Sequence, residues 1–162
     1  MDMKAKLLPV TVGGGITLAT ALLTRFLTGS PFWLVHSETV AEVLPPLWLL
    51  SLLWMTAYMA VGGAAGYVFS CPVKGSLREA HLWRGSTFLI LAVVLSLAWY
   101  ALLLGKNYLL PSWLCLPLAA LAAGIGGGSW WCIQKMAGFV VWGFGLWQIV
   151  LLLLQLAVLL HI

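Results

Sequence analysis

Apolar residues run along the chain in five long blocks, with polar and turn-forming residues collected between them. The blocks cover about residues 7–27, 45–69, 87–104, 109–133 and 137–160. A helix needs about 20 mostly apolar residues to cross a bilayer, and each block approaches or exceeds that length. The pattern predicts an all-α, polytopic membrane protein: a five-transmembrane-helix bundle forming one domain over residues 1–162. Pro45 and Pro46 open the second block, where the missing N–H of proline costs least. Lys106 with Asn107, and Gln134 to Met136, predict tight turns, which make the helices they join antiparallel neighbours.

Lys4 and Lys6 precede the first block, and Arg25 lies near its end. A basic start before an apolar run also marks a secretory signal. This run is long for one and has no clean cleavage context, so a retained helix is expected.

Composition narrows the class further. The chain is 63% hydrophobic and only 7% charged, against about 25% charged residues in a soluble globular protein. A water-soluble fold is excluded on these grounds, and five spans leave no room for a soluble catalytic domain. The net charge is +4, with the charges at block ends and in connections. They read as topology signals and headgroup contacts rather than as a nucleic-acid surface. With five spans, Lys4, Lys6, Lys74, Arg78, Arg84 and Lys135 share one side, and Arg25 and Lys106 the other. Basic residues favour the cytoplasmic face, so a cell-membrane protein with its N-terminus in the cytoplasm and its C-terminus outside is expected. The first connection, with Glu38 and Glu42, is then outside as well.

The candidate chemistry is mostly negative. No Asp, Glu, Lys or Arg lies deep in a block. Ion-coupled transporters and pumps keep such groups at that depth, so carboxylate-based ion coupling is not expected. Cys71, Cys115 and Cys132 form no CxxC pair, and no His stands at metal-ligand spacing from them. No metal site is therefore expected. His36 and His81 read as loop residues and His161 is penultimate, with no catalytic partner set. Small-residue spacings at Gly62–Gly66 and Gly124–Gly128 let helix backbones approach closely. They fit packing within one bundle better than a dimer interface.

What remains is aromatic. Of ten Trp residues, Trp33, Trp48, Trp83, Trp113, Trp130 and Trp131 lie near block ends, where tryptophan favours the membrane interface. Trp54, Trp99 and Trp147 lie deeper. Trp54 and Tyr58 are four apart and share a helix face, with Trp48 roughly on the same side. Such a stripe serves lipid contact or core packing, or lines an apolar pocket if several stripes face inward. A pocket of that kind suits a flat hydrophobic ligand. Its available polar tips are Tyr58, Ser96, Tyr100, Gln148, Gln155 and the indole N–H groups.

Residues 45–68 read PPLWLLSLLWMTAYMAVGGAAGYV. This stretch resembles the second-helix signature of the TspO/MBR family, the translocator proteins or peripheral-type benzodiazepine receptors. Pro45, Pro46, Trp48, Trp54 and Tyr58 carry the match. Two further stretches follow in order: Trp99 with an apolar run to Gly105, and AGFVVWGFGLW at the start of the fifth block, where Phe144 and Trp147 fall in place. The chain departs from the family pattern at AEVL before Pro45, at Ala92 and Ser96 on the third helix, and at Gly143 and Gln155 on the fifth. The aromatic frame persists while several polar partners are expected to be lost, as in a divergent bacterial-type member.

The resemblance implies a five-helix bundle, commonly a homodimer, with a cavity beneath the first loop. It implies binding of a porphyrin-type (tetrapyrrole) or haem-type ligand, with no cofactor required. The implied ligand-binding residues are Trp48, Trp54, Tyr58, Ser96, Trp99, Phe144 and Trp147, and His36 or Glu38 touches a polar edge. Light-dependent porphyrin degradation, implied for some bacterial members, would use Trp54 and Trp147. The expected partners are the lipid bilayer and a hydrophobic small molecule. A small-molecule membrane transporter or facilitator, or a structural subunit of a membrane complex, is the alternative reading.

Overall fold

The structure is a computed structural model that describes residues 3–28, 46–72, 74–102 and 109–161. The first loop, with His36 and Glu38, and the Lys106–Asn107 turn lie outside the described residues. Five helices follow one another: α1 Met3–Thr28, α2 Leu47–Phe69, α3 Ser76–Tyr100, α4 Leu109–Trp131 and α5 Lys135–His161. Each is long and apolar enough to cross a membrane, and no strand occurs among the described residues. The chain is thus an all-α bundle with the architecture of a multi-pass membrane protein.

α3 begins earlier than its apolar block. The apolar pattern predicts a start at about residue 87, with Arg78, Glu79, His81 and Arg84 in the preceding loop. The helix starts at Ser76, after Gly75 at a φ of 103° that only glycine adopts readily. Charged residues do not break a helix; they limit how deeply it sits in a bilayer. Glu79 in the first turn also suits the positive end of the helix dipole. The stretch from Gly85 to Tyr100 rises about 24 Å, most of a hydrocarbon core about 30 Å thick, with the charged turns at one end of that stretch.

Cross-chain contacts fix the helix directions. Against α1, Pro9 meets Gly66, Gly13 meets Gly62, and the Thr17 hydroxyl donates to the Tyr58 carbonyl at 2.8 Å. One number rises as the other falls, so α1 and α2 are antiparallel. Trp130 against Gly85 with Gly126 against Leu89 makes α4 antiparallel to α3, and Gly138 against Trp131 with Gly145 against Ala123 does the same for α5 and α4. The most extensive packing joins α3 to α4, α1 to α2 and α4 to α5, with α2 against α5 next. The helices therefore follow the spatial order α1, α2, α5, α4, α3, and α1 and α3 barely touch. α2 and α3 face each other across the interior and are joined by side chains rather than by close backbones.

Two residue types allow the closest approaches. A Cβ on Gly66 would strike the Pro9 carbonyl, and one on Gly62 would strike Gly13 and Thr17. The Gly62–Gly66 spacing is used within this chain, as expected. Gly124 and Gly128 meet open space instead. Trp130 is not an interfacial residue. It is fully buried, packed into the gap left by Gly85, and its indole N–H donates to the Leu82 carbonyl at 3.3 Å. At the same end, the Gln134 amide donates to the Tyr67 hydroxyl at 2.8 Å and ties the start of α5 to the end of α2.

Gly66→Leu should separate α1 from α2 and lower stability by about 1–3 kcal/mol or more, the usual cost of overpacking. Gly15→Leu, at a position with open space around it, should be neutral or slightly stabilising through its better helix propensity. Thermal unfolding of both variants in the same detergent checks the contrast.

Candidate ligand-binding site

Five aromatic residues, Trp54, Tyr58, Trp99, Tyr100 and Phe144, meet between α2, α3 and α5. Trp54 and Tyr58, one turn apart on α2, have ring centroids 4.9 Å apart. Trp54 stacks on Tyr100 of α3 at 5.3 Å and 28°. Tyr58 meets Phe144 of α5 edge-on at 5.5 Å, and Trp99 meets Tyr100 at 6.4 Å. All five rings are buried, each less than a tenth exposed. Offset and edge-on pairs of this kind add to the packing beyond area alone.

Two hydrogen-bonded relays run through the cluster. The Tyr58 hydroxyl donates to Ser96 Oγ at 2.8 Å, and Ser96 donates to Gln148 Oε1 at 2.9 Å. That relay ties α2, α3 and α5 together. The Trp99 indole donates to Gln155 Oε1 at 2.9 Å, and Gln155 Nε2 donates to Ser112 Oγ at 3.1 Å. That relay ties α3, α5 and α4. Ser96 and Ser112 are fully buried, and so is Gln148. The partners run in the same direction along α3 and α5, which makes those two helices parallel.

The relays leave a remainder. Trp54 Nε1, Trp147 Nε1, Gln148 Nε2 and the Tyr100 hydroxyl are buried polar atoms with no hydrogen-bond partner. Buried polar groups are otherwise almost always paired. Three of these four atoms are donors only, and they come from α2 and α5, with Tyr100 from α3. Trp54, Tyr100 and Gln148 stand directly in the ring cluster or on the Tyr58 relay. The cluster lies toward the ends of the bundle where α1 and α3 finish and where α2 and α4 start.

Of the residues singled out in the sequence, Trp54, Tyr58, Ser96, Trp99 and Phe144 come together here. Trp147 packs half-buried against the same core with its indole nitrogen enclosed, but the rings that Trp54 contacts are Tyr58 and Tyr100. Trp48 stands apart, 69% exposed on the outside of α2. Six residues turn a helix by about 600°, roughly 120° out of line with Trp54. Tyr100, Gln148 and Gln155 were visible beforehand only as polar tips, and Ser112 not at all. At the expected departures from the family pattern, Ser96 and Gln155 are bonded rather than lost, Ala92 is buried apolar core, and Gly143 is exposed. Among the described residues no group of His, Cys, Asp and Glu is placed to hold a metal.

Ser96→Ala removes the middle of the three-helix relay and leaves the Tyr58 hydroxyl and the Gln148 carbonyl unpaired. It should lower stability by about 1–2 kcal/mol. Thr56→Ala, which removes only an exposed bond to its own helix at Leu52, should change stability by less than about 0.5 kcal/mol. Side-by-side melting curves in one detergent make the comparison.

No protein-family model, curated protein or solved structure matches this chain, so the interior geometry and the residues that make it are what bear on function.

Proposed function

We propose that this protein is a TspO-like integral membrane sensor or binding protein for a porphyrin-type or other flat hydrophobic ligand. One observation carries the reading: five aromatic rings from three helices gather in the bundle interior around buried donors that have no acceptor. A lipid-facing aromatic stripe would put its rings outside and its N–H groups at the interface. Here the rings lie inside, and unpaired indole N–H groups are enclosed with them. Such convergence of broad apolar faces and a few polar atoms is the character of a small-molecule site.

Trp54 and Tyr58 would stack against the ligand's plane, Trp99 and Phe144 would bound it, and Trp147 would contribute its enclosed N–H. Trp48, on the outer surface of α2, is assigned no wall of this site. The relays through Ser96 and Gln155 couple the site to four of the five helices, so an occupant that moves Tyr58 or Gln148 displaces helices together. That coupling is what a sensor needs. The distribution of basic residues supports a cell-membrane protein with its N-terminus in the cytoplasm, and the family resemblance supports a homodimer. Porphyrin breakdown in light is a lesser part of the proposal, since Trp54 contacts Tyr100 rather than Trp147.

Titration of the purified protein with protoporphyrin IX should quench tryptophan fluorescence saturably. Trp54→Ala and Trp147→Ala should weaken binding by about tenfold or more, in line with the loss of a stacking face or a buried donor. Quenching that never saturates, or that is unchanged in both variants, rules the site out. Under illumination, the Trp54→Phe variant should bleach bound porphyrin more slowly than the parent if the protein also degrades it; equal rates would remove the enzymatic reading and leave binding intact.

A further inference from the structure

We infer that the occupant of this site presents uncharged oxygen acceptors to the protein, as a planar conjugated ketone or quinone does. The inference rests on the ligand-binding reading above and narrows its chemistry.

The unmet demand in the cluster has one sign. Trp54 Nε1, Trp147 Nε1 and Gln148 Nε2 can only donate, and Tyr100 can donate as well. The neighbouring side-chain acceptors each take a bond from another donor, and none is bonded to these groups. Gln148 Oε1 takes the Ser96 proton, Ser96 Oγ takes the Tyr58 proton, and Gln155 Oε1 takes the Trp99 proton. An unmade hydrogen bond in such a place costs about 1–3 kcal/mol per group. Three such groups in the ring cluster or on its relay, Trp54, Tyr100 and Gln148, with Trp147 against the same core, point to a partner that supplies acceptors.

The alternatives fit less well. A water molecule accepting from these groups brings two hydrogens of its own, and among the four unpaired groups only the Tyr100 oxygen is open to receive one. A ligand N–H has the same difficulty. A carboxylate supplies acceptors but carries a charge that needs a countercharge in an apolar interior. Among the described residues no Lys or Arg is buried in this core, and the donors on α5 stand beside Phe144, Leu151 and the relays. A carbonyl oxygen accepts two hydrogen bonds, donates none and is neutral. A conjugated carbonyl compound also offers the flat face that Trp54 and Tyr58 would stack on, and it dissolves in the bilayer from which this interior would be reached.

A matched pair of probes tests this: 9,10-anthraquinone, and anthracene, which has the same ring frame without the oxygens. Binding of both to the purified protein is measured by equilibrium dialysis in one detergent. The carbonyl stretch of bound anthraquinone is followed by infrared spectroscopy. The parent protein should prefer the quinone by about tenfold or more beyond the ratio in empty micelles, with the carbonyl stretch lowered by donated hydrogen bonds. Tyr100→Phe keeps the ring and removes only the hydroxyl, so it should reduce the preference while leaving thermal stability equal or higher; Trp54→Phe removes a donor and shrinks a buried ring, so it should reduce the preference with some loss of stability. A role in packing alone would lower stability and leave the preference untouched.

Equal binding of the two probes, or a preference unchanged in both variants, overturns the inference. If protoporphyrin IX binds saturably under those outcomes, the inference fails and the proposed function stands. If the porphyrin also fails to bind, both fall together. A quinone preference without porphyrin binding keeps the inference and replaces the tetrapyrrole with a quinone-class ligand.

Discussion

The interior of this bundle depends on a serine. Between helices in a membrane, burial of apolar surface gives little net gain, because lipid tails are as apolar as leucine. Association then rests on close packing and on hydrogen bonds that have no good alternative. Ser96 supplies the second on one side of the interior, accepting from Tyr58 and donating to Gln148. It joins three helices of which two, α2 and α3, have almost no backbone approach to each other. Without that node, Tyr58 and Gln148 have no reason to point inward, and the aromatic frame built on them loses its alignment.

The periphery follows a different rule. α1 meets the bundle almost entirely through α2, and it does so backbone to backbone, where Gly62 and Gly66 leave room for Gly13 and Pro9. The α4–α5 pair uses both devices, with Gly127 and Gly138 at the backbone contact and the Trp142 indole donating to the Gly124 carbonyl. The bundle is thus tight at its helix pairs and wide between α2 and α3. The width is what admits large rings to the middle. An interior closed by glycines throughout would have had no place for Trp54 and Tyr100 to stack.

How much of this could be read in the chain depends on whether the information was local. The five spans are local: each is a run of apolar residues, and the structure bears them out. The pairing of Trp54 with Tyr58 is local too, because four residues on one helix share a face. Gly85 and Trp130 are 45 positions apart in the chain, so nothing near Trp130 distinguishes it from the interfacial tryptophans it resembles. The same holds for Tyr100, Gln148 and Ser112, whose roles arise only when helix directions and rotations are fixed. The start of α3 was missed for another reason. Charge signals the membrane boundary, and the sequence pattern treated that boundary as the end of the helix, although a helix can continue into water.

The buried donors explain why polar residues persist in so apolar a chain. Gln148 and Gln155 both sit on α5, seven residues and thus about two turns apart, on one face of the helix. One is satisfied on both sides of its amide, with Trp99 and Ser112; the other is satisfied only at its oxygen. A purely structural glutamine would be expected to resemble the first, since a half-paired amide is worse for stability than leucine at the same place. The half-paired one is fully buried and joins the aromatic cluster through the Ser96–Tyr58 relay. Stability gives no account of that arrangement. The proposed ligand site would account for it, since an occupant that completes those hydrogen bonds would act on the same relay that ties α2, α3 and α5 together.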